Sequence, residues 1–562
     1  MGLLRDPGVV YKAAEEVDLG PQSDQPYLRA NVKAPRMAGF LVKVFVWFLE
    51  SRIFGAVLLY FLKKNNLIQK LVTHAELEEE PLFEPLHPYQ ELKEQQVEYI
   101  DSDLSPPEKV QRAVDCLPSQ RTLDDLKTGF HRWTILDYSR AYTSGKITPR
   151  MVAERFIVAA LESSNPPLQM SFFINYDVED ILRQATESTH RYEKGEPISV
   201  LDGVPIAIKD EIDCSPYPTT GGTKWLHKLR TCTGDACCVM RLRLCGAILV
   251  GKTNMHELGA GTSGINPHYG VTRNPYDTGR ISGGSSSGSA ALVSAGLCPV
   301  ALGVDGGGSV RLPASLCGVV GFKPTFGRIP HAGVLPLNWT VGMVGVLAGT
   351  VEDAFIVDEV KICCSSAVEQ LCEHYGWKIV EVTIPEIEVM RLAHYVTIGS
   401  ECSTSLSSYL QKLNFAELGW DARVALSVYG AFSGKDYIKA QKIRNRQMKF
   451  HRNIFAKADV IVVPTTGVTA YPVKNDVLET GELDYINGAA LVRYQIAGNF
   501  LGLPAVTVPV GYDKAGMPIG IQFIGKPWSE ATLIHIAIAM QALRISDCRK
   551  PKVFYDLLNK EE

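Results

Sequence analysis

The sequence predicts an α/β fold: a central mixed, twisted β-sheet covered by helices on both faces, preceded by a helical N-terminal arm. Three observations carry this. Short apolar runs recur at 204–208, 247–250, 298–304, 379–382, 460–463, 505–510 and 519–524, each the length of a buried strand. Helical patterns at 137–144, 149–164 and 178–193 precede them, the last stopped by Gly195, and strands alternating with helices mark a sheet packed on both faces. The composition, 46% hydrophobic and 21% charged, belongs to a chain that buries a core rather than a disordered one.

Over 562 residues, 57 basic and 61 acidic side chains leave a net charge of −4. That balance lacks the basic footprint of a nucleic-acid binder. The thirteen cysteines include the adjacent pairs Cys237-Cys238 and Cys363-Cys364 but no C-x-x-C. They are expected to be reduced thiols in a cytosolic-type redox environment, with no metal bound.

No secretory signal opens the chain: residues 1–35 are polar, with acids at Asp6, Glu15, Glu16 and Asp18. From Met37 to Leu62 run two apolar blocks, 40–49 and 53–62, the first interrupted by Lys43 and the two separated by Glu50-Ser51-Arg52. A spanning helix needs ~20 nearly uncharged residues, so neither block crosses a bilayer. Two short helices on a membrane surface fit better: Phe45, Trp47, Phe48, Phe54, Tyr60 and Phe61 supply apolar bulk, and Lys63-Lys64 suit anionic head groups. Packing against the protein's own core or a second subunit is the alternative. Residues 74–110, with Glu76, Glu78, Glu79 and Glu80 followed by Pro81, Pro85, Pro88, Pro106 and Pro107, read as a wrapping linker with little regular structure.

Two Gly/Ser clusters carry the chemistry. The first is Gly283-Gly284-Ser285-Ser286-Ser287-Gly288-Ser289; the second is Asp305-Gly306-Gly307-Gly308-Ser309-Val310-Arg311, directly after an apolar run. Neither has the G-K-[ST] ending of a phosphate-binding loop. Residues 284–288 match the G-x-S-x-G elbow literally, but an elbow needs a strand before it, and 273–280 reads as a polar loop. The second cluster is better placed: the backbone N–H groups of Gly306, Gly307, Gly308 and Ser309 are the material of an oxyanion hole. A serine nucleophile needs a base. Lys209 follows the buried run 204–208; burial disfavours the charged form of an amine, which makes a buried lysine a candidate base. Taken alone, a lysine at a strand end reads first as a snorkelling surface residue.

Together, Lys209, Gly283-Gly284-Ser285-Ser286-x-Gly288-Ser289 and Asp305-x-Gly307-Gly308-Ser309-Val310-Arg311-x-Pro313 resemble the amidase-signature family. Order and spacing agree, with 76 positions from Lys209 to Ser285 and 24 from Ser285 to Ser309. The resemblance runs from about Phe130 to the C-terminus. Within the family it is closest to the plant-type fatty-acid amide hydrolases, also through Ser199-Val200-Leu201-Asp202-Gly203 and His256-Glu257-Leu258-Gly259. It implies the amidase-signature fold, Ser309 as acyl-forming nucleophile, Ser285 in a cis peptide as proton relay, and Lys209 as neutral base. It also implies that Ser286 and Arg311 hold the loops, that no cofactor or metal is used, and that the protein is a homodimer. The implied substrate is a lipid amide, an N-acylethanolamine cleaved to fatty acid and ethanolamine at an endoplasmic-reticulum or plasma membrane.

Residues 1–129 thus read as an arm with interfacial helices over about 37–64 and a linker, and 130–562 as the catalytic domain. That domain is shortened near 356–365: the family plan continues after Val351-Glu352-Asp353-Ala354-Phe355 through a strand and a helix, whereas here a helix follows at about 365–375. A Ser-His-Asp hydrolase, using His256, His331, His394 or His451, is the competing enzyme class. A non-catalytic lipid-amide binder is the competing reading outside enzymes.

Overall fold

The computed structural model describes residues 36–65, 67–68, 79–88, 98–99, 103–117, 130–358, 362–363, 380, 382–544 and 548–559. The acidic opening, parts of the linker and the expected helix at 365–375 lie outside them.

The centre is a nine-stranded sheet. In chain order its strands are β1 (Phe173–Asn175), β2 (Pro205–Lys209), β3 (Ile248–Thr253), β4 (Val300–Asp305), β5 (Val320–Lys323), β6 (Met343–Ala348), β7 (Val460–Pro464), β8 (Ala505–Tyr512) and β9 (Pro518–Gly525). In space they run β7-β9-β8-β5-β6-β4-β2-β3-β1. β4 is parallel to β2 and β2 to β3, while β4 pairs antiparallel with β6 and β8 with β9, so the sheet is mixed. Every residue of β2, β3 and β4 is buried. Successive side chains of a strand point to opposite faces, so unbroken burial means that both faces are covered. The register pairs Val300 with Ile206 and Leu302 with Ile208, which brings the end of β2 at Lys209 beside the end of β4 at Asp305.

The helix Pro149–Ser164 begins with proline behind a Thr148 cap, and Val178–Lys194 begins on Asp177 and ends at Gly195; these are ordinary start and stop signals. The helix Ser287–Ser294 is buried along its whole length, which its Gly, Ser and Ala side chains permit.

The structure corrects several expectations. Residues 273–280 form a two-stranded hairpin, Arg273–Asn274 against Asp277–Ile281, and not a loop; too polar to show strand alternation, it lies outside the central sheet. Within the presumed linker, Pro106–Asp115 is a helix with a reciprocal cap between Ser105 and Glu108, the S-x-x-E signature of a helix start. Residue 380 and residues 382–384 of the expected strand at 379–382 and its continuation carry no strand. Strands β5 and β6 escaped the apolar-run reading. So did the long helices Ile387–Leu410 and Gly434–Phe455, whose faces include buried charges such as Arg446, paired with Glu386 at 3.1 Å. Cys214, Cys245, Cys298, Cys317 and Cys402 are buried free thiols, but Cys116 is disulfide-bonded. Pairing depends on how closely two Cβ atoms approach in space, which spacing along the chain does not reveal.

The arm carries two helices, Phe40–Leu49 and Gly55–Asn65. Val42, Val46 and Leu49, four and three residues apart, share one face and pack with Val424 and Leu483. Glu50 accepts from Arg423 at 2.7 Å, and Lys63 meets Asp436 at 3.0 Å. The remaining surface exposes Phe40, Trp47, Ile53, Phe54, Tyr60 and Phe61, Phe40 at 78% and Trp47 at 69%. No helix among the described residues is long and apolar enough to cross a membrane.

Candidate active site

Lys209 closes β2, Asp305 closes β4, and the two Gly/Ser clusters fold over these strand ends. Lys209 Nζ donates to Ser285 Oγ at 2.7 Å and to the Val304 carbonyl at 3.2 Å, with its side chain fully buried. The Ser285 N–H donates to Ser309 Oγ at 3.1 Å, and the Ser286 N–H donates to the Ser309 carbonyl at 3.3 Å. Ser286 Oγ donates to the Val304 carbonyl at 3.3 Å. Residues separated by 76 and 24 positions thus meet in one cluster. The amine touches one hydroxyl, and the backbone N–H of that residue touches the second, which gathers a candidate base and two candidate nucleophiles in one place.

Two expectations need correction. The Gly284–Ser285 peptide is not cis; the cis bonds among the described residues are Pro166-Pro167 and Ser215-Pro216. A non-proline cis bond costs ~3–4 kcal/mol, and here Gly283 and Gly284, both left-handed at φ 77° and 65°, reverse the chain without it. The second concerns the oxyanion loop. The Gly308 N–H donates to Asp305 Oδ1 at 2.6 Å, so it is already engaged within its own loop. Gly308 itself has a φ of 107°, and a Cβ there would lie 2.0 Å from Gln495 Oε1. Only glycine fits this position.

The loop is held from beneath by a buried ion pair. Arg311 Nη2 and Asp305 Oδ1 are 3.0 Å apart with neither side chain exposed. Asp305 also accepts from the Val310 N–H at 3.1 Å and from Asn499 Nδ2 at 2.9 Å. Arg311 donates further to the Gln495 carbonyl, to Gln522 Oε1 and to Asn499 Oδ1, at 2.9, 2.6 and 2.6 Å. Burial alone opposes ionisation of Asp305, but the Arg311 guanidinium and these hydrogen bonds hold its carboxyl well below the usual carboxylate range.

His394 lies against the same loop: its Nε2 donates to the Gly306 carbonyl at 2.7 Å. Burial lowers its pKa to about 4, so it is neutral at physiological pH. His451 is likewise lowered to about 4 by burial and bonds the Gln447 carbonyl. Among the described residues no histidine ring hydrogen-bonds the Ser285 or Ser309 hydroxyl, which a Ser-His-Asp arrangement requires. His394, Gln495, Asn499 and Gln522 were not picked out as site residues. They arrive from elements ~80–210 positions away in the chain and sit in no local motif.

A cavity of about 170 Å³ adjoins the first cluster; Thr262, His256, Tyr395, Asp421 and Val492 are part of its wall. Thr262 accepts the Gly284 N–H at 2.8 Å, and the His256 N–H reaches the Ser285 carbonyl at 3.3 Å. Two of its wall residues are thus bonded to the turn that carries Ser285.

Comparison with known proteins agrees with this geometry. The Amidase family model matches residues 155–367 and 359–534. A fatty acid amide hydrolase of Arabidopsis thaliana is 42% identical, covering 98% of this chain and 99% of its own; one from Medicago truncatula is also 42% identical, over 97% and 98%. The alignment with the Arabidopsis protein spans 605 positions, more than the 562 residues here, so that relative carries stretches without a counterpart in this chain. A solved amidase superposes with a TM-score of 0.65 at 27% identity, over 73% of this chain and all of that one. The chain belongs to the amidase family.

Proposed function

We propose that this protein is a serine hydrolase of fatty-acid amides, cleaving N-acylethanolamines to free fatty acid and ethanolamine. Ser309 forms the acyl-enzyme, Ser285 relays the proton, Lys209 is first base and then acid, and the N–H groups of Gly306, Gly307 and Ser309 meet the oxyanion. The observation that carries this is the contact of the fully buried Lys209 amine with Ser285 Oγ at 2.7 Å, in a residue whose N–H touches Ser309 Oγ at 3.1 Å. The substrate class rests on the 42% identity to proteins named fatty acid amide hydrolase over nearly the whole chain. Purified protein incubated with N-acylethanolamines of several acyl lengths is expected to release ethanolamine and free acid, with a Ser309→Ala control silent. No release at any length would overturn the substrate assignment.

Membrane association belongs to the same proposal. The exposed aromatic face of the arm, ending in Lys63-Lys64, supports a surface-lying helical pair through which a lipid amide enters. Replacing Trp47 and Phe61 by Asp puts charge on this face and leaves the buried stripe of Val42, Val46 and Leu49 untouched. Co-sedimentation with anionic vesicles should fall several-fold. Unchanged partitioning would assign the face to a second subunit instead. A homodimer is included in the proposal on family likeness alone.

A further inference from the structure

Glu211 lies two residues beyond Lys209. Its carbonyl accepts the Leu335 N–H at 2.9 Å, and Ile212 next to it bridges Val334, so the backbone here is anchored on both sides of the turn. Glu211 Oε2 is 2.8 Å from Lys209 Nζ, with the side chains 2% and 0% exposed. That oxygen has no hydrogen-bond partner among the described residues; it meets the amine as an ion-pair contact and not in hydrogen-bond geometry.

Lys209 Nζ therefore has three neighbours: Ser285 Oγ at 2.7 Å, the Val304 carbonyl at 3.2 Å and Glu211 Oε2 at 2.8 Å. A carbonyl and a carboxylate only accept. A neutral amine has two N–H bonds and one lone pair. The Val304 carbonyl takes one N–H, whereas the Glu211 carboxylate takes no directed hydrogen bond and acts on the nitrogen through its charge. We propose that Glu211 is a positioning residue of the proton relay: its buried carboxylate, 2.8 Å from the amine, stabilises the ammonium that forms on Lys209 when the relay delivers its proton. This rests on the hydrolase reading above.

The protons balance without Glu211 changing its own. Ser309 Oγ bonds to the acyl carbon and gives its proton to Ser285 Oγ, as Ser285 passes its own proton to Lys209 Nζ. On collapse the C–N bond breaks, and Lys209 returns a proton through Ser285 to the departing nitrogen. The ammonium exists only between these two events, so a fixed anion at 2.8 Å favours the intermediate over the resting amine. The other titratable groups around the pair are His256, lowered to about 4 by burial and then by Lys209; His331, lowered by burial; Cys402, pushed up to about 12 by burial and then by Glu211; and Asp210, paired with Lys252 at 3.2 Å. Glu211 is the carboxylate in direct contact with the amine.

The test is the pH dependence of kcat/KM for an N-acylethanolamine and of the fluorophosphonate labelling rate, measured on the full chain and its Glu211→Gln variant. Without the carboxylate the amine holds a proton less tightly. The acidic limb of both profiles should move to lower pH by at least about one pH unit. The plateau should fall by ~10–100-fold, because a weaker base is a poorer catalyst. Glu211→Asp, with its carboxylate drawn back by one methylene, should move the limb the same way by less, and it carries the test should the Gln variant fail to fold. A purely structural role would lower the rate at every pH and leave the limb in place; an unmoved limb in the soluble variants overturns the inference. Ser309→Ala separates the two levels: persistent labelling there sinks the hydrolase reading, whereas a silent Ser309→Ala with an unmoved Glu211→Gln limb sinks only the role of Glu211.

Discussion

Replacing Ser309 by Ala is expected to lower amide turnover by about 10⁴-fold or more and to abolish labelling by a fluorophosphonate. Ser309 Oγ lies against the Ser285 N–H on a loop whose neighbouring residues have lost their Cβ atoms, so an acyl carbon can approach it within reach of backbone donors. Ser285 Oγ in turn touches Lys209 Nζ. Because the three groups work as one unit, Ser285→Ala and Lys209→Ala should each remove most of the rate, and the double variants should lose little more than the singles. Losses that simply multiplied would mean that the groups act independently, and labelling of the Ser309→Ala protein would place the nucleophile elsewhere. Stability should hardly change, since one hydroxyl is removed from a partly open position.

Asp305→Ala should instead cost stability, by about 3–5 kcal/mol, because it leaves the Arg311 guanidinium buried without its counter-charge. That is a large part of the roughly 5–15 kcal/mol that keeps a protein folded. The same change frees the Gly308 and Val310 N–H groups, so any folded fraction should have a looser loop and a lower kcat. Removing both charges, as Asp305→Leu with Arg311→Met, should recover part of the loss. Thermal and urea melts of the two singles and the double, read as a cycle, check this; strictly additive losses would show that the pair is not coupled. The pH dependence has a definite sign. The folded-state value of Asp305 lies below its ordinary one, so its contribution is present above about pH 4 and drains away as pH falls. Asp305→Asn should remove that part of the acid sensitivity.

Much of the candidate site was legible in the chain because it is built from residues whose chemistry is unusual where they stand. A lysine directly after a buried apolar run and a serine after three glycines are local statements, and local statements survive in a linear sequence. The strands were legible in β2, β4 and β8 and were missed in β6 and in β5, which is four residues long and ends on Lys323. The helix Gly434–Phe455 was hidden because Arg444 and Arg446 are buried on it, which blurs the apolar stripe that marks a helix.

By itself, then, the sequence determined the sheet-and-helix alternation and the two short apolar helices of the arm, and it singled out Lys209, Ser285, Ser286, Ser309 and Arg311 through their resemblance to a family motif. Their meeting did not follow from it. The parallel pairing of β2 with β4 places Lys209 and Asp305 side by side, and Asn499, Gln522 and His394 come from remote elements to hold the loop. The occupied Gly308 N–H, the absence of a cis bond at Ser285 and the contact between Glu211 and Lys209 likewise belong to the folded chain. Hydrogen bonds and ion pairs are decided by distances of about 3 Å in space, and a chain brings such distances into being only when it closes on itself.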